Sequence, residues 1–212
     1  MSDNQCPSNE SPVTRRGFTL IELLVVMAII AMLAALIVGL GRPAYRARIE
    51  NRAKTELNML VGAIEAYHKK FGFYPPDNAN DPSRPPLYYE LVGWTGIKQQ
   101  LDGLTNMFGV GGFVNSVVAV DQTELDRILN SDDERKNQRK NFLPNLKPKG
   151  FAAIPGQAPQ TFVLTFPAIG PGGEFNTWNY RSTKPVNNTE SFDLWISVIL
   201  SSKTNVIGNW KE

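Results

Sequence analysis

Polar and apolar positions follow one rule over residues 18–41 and another over residues 42–71. From Phe18 to Leu40 apolar side chains succeed one another without a helical period, and residues 23–41 contain no ionisable group. As a helix this run would measure roughly 35 Å, enough to cross a hydrocarbon core about 30 Å thick. Its length exceeds the apolar region of a secretory signal peptide, and a buried core helix suits a larger enzyme better than a chain of 212 residues. The expectation is one transmembrane helix over 18–41. From Arg42 the pattern changes: Tyr45, Ile49, Ala53, Leu57, Leu60, Ile64, Tyr67 and Phe71 recur at steps of three or four. That spacing marks one face of an amphipathic helix. Arg46, Arg48, Glu50, Arg52, Lys54, Glu65 and Lys69 occupy the other faces. The span is thus expected to continue as an amphipathic half over 42–71, its apolar stripe against a globular domain. Gly72 and the Pro75–Pro76 pair then end it.

Residues 72–212 have about the size of one ordinary domain. Pro85 to Leu91 reads as a short helix entered through proline. Gly93, Gly96, Gly103, Gly109, Gly111 and Gly112 read as turns, since they lack the strand-then-helix context of a phosphate loop. Asp121 followed by Glu124 predicts a capped helix carrying Leu125, Ile128 and Leu129. The mixed charges of 131–141 read as a solvated helix face. Strands are expected late, at 162–166, 178–181, 192–199 and 205–210, between Pro, Gly and Asn turns. In the third of these, Phe192, Leu194, Ile196 and Val198 alternate with Asp193, Trp195 and Ser197, so the first set should face a core. Trp178, Trp195 and Trp210 read as core or loop anchors. The fold class predicted is α+β: a long N-terminal helix packed on a small antiparallel β-sheet.

Composition narrows the chemistry. The formal net charge of +2 gives no argument for nucleic acid. Cys6 is the one cysteine, so no internal disulfide can form. His68 is the one histidine, read as a solvated helix residue. No set of residues for nucleophilic or metal-assisted catalysis stands out, so no enzyme is expected. One residue is out of place: Glu22 lies inside the apolar run, where a carboxylate is costly and usually functional. Reaching back to the headgroups would be its bland explanation.

Arg15-Arg16-Gly17-Phe18-Thr19-Leu20-Ile21-Glu22 resembles the processing signal of type IV prepilins and type II secretion pseudopilins. The resemblance implies a leader, 1–17, cut after Gly17 by a prepilin peptidase that methylates the new amino terminus at Phe18. It implies that Glu22 serves assembly by pairing with the α-amino group of a neighbouring subunit. An amino end in the cytoplasm, a periplasmic domain over 72–212 and a single-pass inner-membrane location also follow. The Lys and Arg count near the span, with Arg42, Arg46, Arg48, Arg52 and Lys54 beyond it, argues the opposite orientation; the resemblance is taken to override it. "AIEAYHKKFGFYPPDN", "WNYRS", "SFDLWI" and "IGNW" resemble major pseudopilins as well. Two departures stand out. The family's kink proline is replaced by Gly39, with Pro43 nearby. The loop where the family binds calcium reads 197–204 here and has no acid. No cofactor is therefore expected. The segment 92–159 exceeds a minimal major pseudopilin.

The function expected is a structural subunit that self-associates through its N-terminal helices into a type II secretion pseudopilus or related fibre. Its partners would be the prepilin peptidase, other pseudopilins or pilins and the inner-membrane assembly platform. Two alternatives remain: a membrane-anchored periplasmic ligand-binding protein or enzyme, and an adhesive or DNA-uptake type IV pilin, for which the basic end of 131–141 is the feature to test.

Overall fold

A computed structural model describes residues 17–157, 159–167, 176–200 and 203–210, with side chains at 37–43 and 200 set aside. Residues 1–16 of the expected leader, 1–17, lie outside this set. The chain divides into two compact units, 1–45 and 46–212. One helix, α1 (Leu20–Phe71), of 52 residues, accounts for the described part of the first unit and opens the second.

In the first unit every side chain described from Phe18 to Leu36 is exposed. Among the described residues no helix is long and apolar enough to cross a membrane; the apolar run of the sequence continues into 37–40, whose side chains lie outside the described set. The helix assignment continues across Gly39, Gly41 and Pro43. Pro43 has no N–H, so the carbonyl of Gly39 loses its helical donor.

In the second unit the predicted stripe is buried or half-buried from Ile49 onward, whereas Tyr45, its first member, lies in the first unit and is exposed. Ala53, Leu57, Leu60, Ile64 and Tyr67 pack with Trp178, Tyr180, Phe192, Leu194, Ile196 and Val198, while Ile49 and Phe71 close the rim of this core. The partners come from a three-stranded antiparallel sheet in the order β5 (Asn179–Arg181), β6 (Asp193–Leu200), β7 (Lys203–Gly208). A second antiparallel pair joins β3 (Phe151–Ala153) to β4 (Phe162–Leu164). Long helix and small antiparallel sheet are thus as expected.

The middle of the chain differs from the expectation. After α2 (Leu87–Val92), β1 (Trp94–Ile97) runs parallel to β2 (Ser116–Ala119), joined by α3 (Lys98–Phe108). Gly96 is in a strand and Gly103 in a helix, not in turns. The helix signal was present: Leu101, Leu104 and Phe108 share one face, and Gly109 ends the helix in the left-handed region at φ 66°. A second core of Tyr89, Trp94, Leu104, Phe108, Phe113 and Val163 fixes this lobe. The run 131–141 holds only a 3-10 turn at Glu134–Asn137 rather than a helix face.

The capped helix α4 (Gln122–Asn130) forms as predicted. The Asp121 carboxylate accepts from the Glu124 N–H at 2.8 Å, and the Glu124 carboxylate accepts from the Val120 N–H at 2.8 Å. Asp121→Ala should lower domain stability by about 1 kcal/mol, the usual value of such a cap, measured by chemical denaturation.

Glycine has a specific task at 208. A Cβ there would lie 2.6 Å from the Trp210 ring, which folds back over the strand and meets Trp195 with centroids 6.0 Å apart. Gly208→Ala should displace Trp210, change the tryptophan emission and cost roughly 1–3 kcal/mol, as overpacking does.

Candidate functional site

The site predicted from sequence is the start of α1. Thr19 precedes the first helical residue, and Glu22 stands in the first turn. The Glu22 N–H donates to the Thr19 hydroxyl at 3.3 Å. In return the Thr19 N–H and hydroxyl both donate to Glu22 Oε2 at 2.9 Å. This reciprocal pair is a capping box, which satisfies two of the donors that a helix start leaves without partners. Phe18 and Glu22 are both exposed. Both incoming bonds go to one oxygen: among the described residues nothing donates to Glu22 Oε1. The structure therefore brings together Glu22 and Thr19, with Gly17 and Phe18 adjoining in the chain. Thr19 was missed in the sequence reading although Thr-x-x-Glu carries the signal.

The exit from α1 forms a second ordered region. The Tyr180 hydroxyl and the Ser182 hydroxyl both donate to the Pro75 carbonyl at 2.9 Å. Asp77 accepts from the Ser182 and Thr183 N–H groups at 2.9 Å and from the Thr183 hydroxyl at 2.8 Å. The turn after the long helix is thereby tied to the end of β5. His68 is not simply solvated; it stacks on Tyr74 with centroids 4.3 Å apart.

Deeper in the domain, Glu90 on α2 is fully buried and accepts three bonds. The donors are the Tyr67 hydroxyl (3.0 Å), the Val114 N–H (2.9 Å) and the Asn115 N–H (3.0 Å). Burial raises the Glu90 carboxyl pKa, and the donors oppose that rise only in part. Burial, with Glu90 beside it, raises the Tyr67 phenol too. Asn115 continues the node by holding the Glu90 and Lys140 carbonyls and accepting from the Lys140 N–H. Asp193, placed by alternation on the outer face of β6, is instead buried beneath the loop before it. It accepts from the N–H groups of Val186, Asn187 and Asn188. The sequence could not reveal these acids as buried: two of the three Glu90 donors are backbone groups more than twenty residues away, and the Asp193 donors are backbone groups of a turn that has no side-chain signature.

Among the described residues no group of three or more His, Cys, Asp or Glu could hold an ion. The stretch 197–204 is not a loop: β6 and β7 pair from Trp195–Gly208 to Leu200–Lys203, which leaves residues 201–202, outside the described set, between them. Asp77, Glu90 and Asp193 have their oxygens turned to protein donors.

Comparison with known proteins bears on the amino end. The family described as prokaryotic N-terminal methylation motif matches residues 14–38. Over 69 residues the chain is 39% identical to the fimbrial protein EcpC of Eikenella corrodens, an alignment covering 31% of this chain and 42% of that protein. The chain thus matches under half the length of that curated relative. No solved structure matches. The chain carries a type IV prepilin-like N-terminal methylation motif and is distantly similar, over about a third of its length, to a fimbrial protein.

Proposed function

We propose that the chain is the precursor of a fibre subunit. A prepilin peptidase cuts between Gly17 and Phe18 and methylates the Phe18 amino group. Residues 18–41 lie in the inner membrane with the amino end on the cytoplasmic side, and 72–212 fold on the periplasmic side. Subunits then leave the bilayer by bundling their long helices into a type II secretion pseudopilus or a related fibre, served by an assembly platform and companion subunits.

The observation that carries this reading is the state of Glu22. It sits in the first turn of a helix whose described side chains are all exposed from Phe18 to Leu36. Such a surface needs cover from lipid or from other helices. Once covered, a carboxylate with donors on one oxygen only is under-satisfied and costly. An ammonium group from the Phe18 terminus of an adjoining copy supplies both charge and hydrogen bond. Lateral packing is thereby tied to one register, since a shifted neighbour leaves the acid alone.

Mass spectrometry of the chain from its own host tests the first step. The mature protein is expected to begin with N-methylated Phe18 and to weigh less than the precursor by the mass of residues 1–17. A mature chain starting elsewhere, or an unmethylated one that still forms fibres, overturns the reading.

A further inference from the structure

We infer that a cationic cleft beside the carboxyl half of α1 receives the acidic turn that follows α4 of a second copy of this chain. The inference rests on the fibre reading and adds to it a contact between globular domains.

The cleft has a volume of about 490 Å³ and lies between α1 and residues 145–150, with Thr165 and Trp178 at its back. Its walls are apolar where Met59, Leu60 and Leu146 contribute, and its rim carries Arg52, Lys147 and Lys149 against one acid, Glu56. Arg52 is shared between Glu56, at 3.0 Å, and the face of Phe166. Lys147 and Lys149 are exposed and have no carboxylate within 4 Å among the described residues. Among the described residues the rim therefore keeps a positive excess.

The matching surface is Ser131–Glu134. Asp133 points inward, bound to Arg135 at 2.8 Å, and Arg135 also holds Glu124 at 2.8 Å. These bonds hold the Asp133 carboxyl down at a pKa of about 2. They fix the turn with Asp132 and Glu134 exposed to solvent. Asp132 has only a loose contact with Lys136, at 3.7 Å, and Glu134 has no ion pair among the described residues. A pre-shaped acidic turn loses little freedom on docking. Among the described residues no ion pair or hydrogen bond links turn and cleft within one copy. Complementary patches at different places on the same molecule make a head-to-tail contact, and such contacts repeat into open filaments wherever the rotation does not close into a ring. Lys147, Lys149, Asp132 and Glu134 all belong to the 92–159 segment, which gives that segment an assembly role.

Cysteine pairing in assembled fibres tests this directly. The one native thiol, Cys6, leaves with residues 1–17 on the fibre reading, so mature chains offer no competing cysteine. The double variant Asp132→Cys/Lys149→Cys, sheared from cells and mildly oxidised, is expected to give a ladder of disulfide-linked multimers, and neither single variant should. Lys147→Glu/Lys149→Glu should reduce fibre yield at least tenfold, and adding Asp132→Lys/Glu134→Lys should restore it. Fibres that form without a ladder, or charge reversal without effect or without rescue, overturn the contact while leaving the fibre reading intact. If the processed parent chain forms no fibres at all, both fall, and the fault lies with the fibre reading.

Discussion

Glu22→Gln is expected to leave α1 intact and to reduce fibre yield by more than tenfold. Glutamine keeps the cap, because its carbonyl oxygen can accept from the Thr19 N–H and hydroxyl as Glu22 Oε2 does. What it loses is the charge. If Glu22 only closed the helix, Gln would assemble normally and Glu22→Leu would fail through fraying. If the charge meets a neighbour's ammonium group, Gln fails too. Breaking a buried pair by removing one partner costs about 3–5 kcal/mol, which corresponds to more than a hundredfold in an association constant, so tenfold is a lower bound. Circular dichroism of the variant in detergent should match the parent. Fibre yield, read from sheared material, decides between the two roles. Thr19→Val supplies the converse: it removes the hydroxyl and keeps the acid, and it should cost about 1 kcal/mol of helix end stability with a smaller loss of fibre.

Glu90→Ala should be the most destabilising single change in the globular unit. The side chain is fully buried, and its removal leaves the Tyr67 hydroxyl and the Val114 and Asn115 N–H groups without an acceptor. Each orphaned donor costs about 1–3 kcal/mol where water cannot reach it. A total near 4 kcal/mol is a reasonable centre, a large fraction of the 5–15 kcal/mol typical of a domain. Glu90→Gln should cost less, since one oxygen remains an acceptor while the new amide NH₂ faces donors.

The pH dependence separates these variants further. Because burial raises the folded pKa above the ordinary 4.5, the folded state holds the proton more tightly than the unfolded chain. This group's contribution therefore becomes less favourable as pH rises from 4.5 through the raised value. The parent should lose that component over this range, and Glu90→Gln should not, in denaturation curves compared at matched ionic strength.

Much of this architecture was legible because single-residue chemistry fixed it. The stripe from Ile49 to Phe71 had only one helical face to bury, and it is the face that meets β6. The alternation of Phe192, Leu194, Ile196 and Val198 placed four side chains in the core. Asp121 announced α4. The illegible part depended on partners far along the chain. A parallel pair such as β1 and β2 is joined by a helix and has no turn signature of its own, and glycines within it read as breaks. Gly103 was misread because it lies in α3, where a Cβ would be 3.4 Å from Pro159. At the site itself Glu22 stood out by its charge, whereas Thr19 was overlooked as one more residue of an apolar segment.

The clasp between Thr19 and Glu22 has a consequence for maturation. All of its atoms lie on the product side of the Gly17–Phe18 bond. Cleavage there, as proposed, would remove none of the bonds that begin the helix, so precursor and product would share one helix start. On the proposed cleavage, leaders of other lengths should be exchangeable without touching what the fibre is built from.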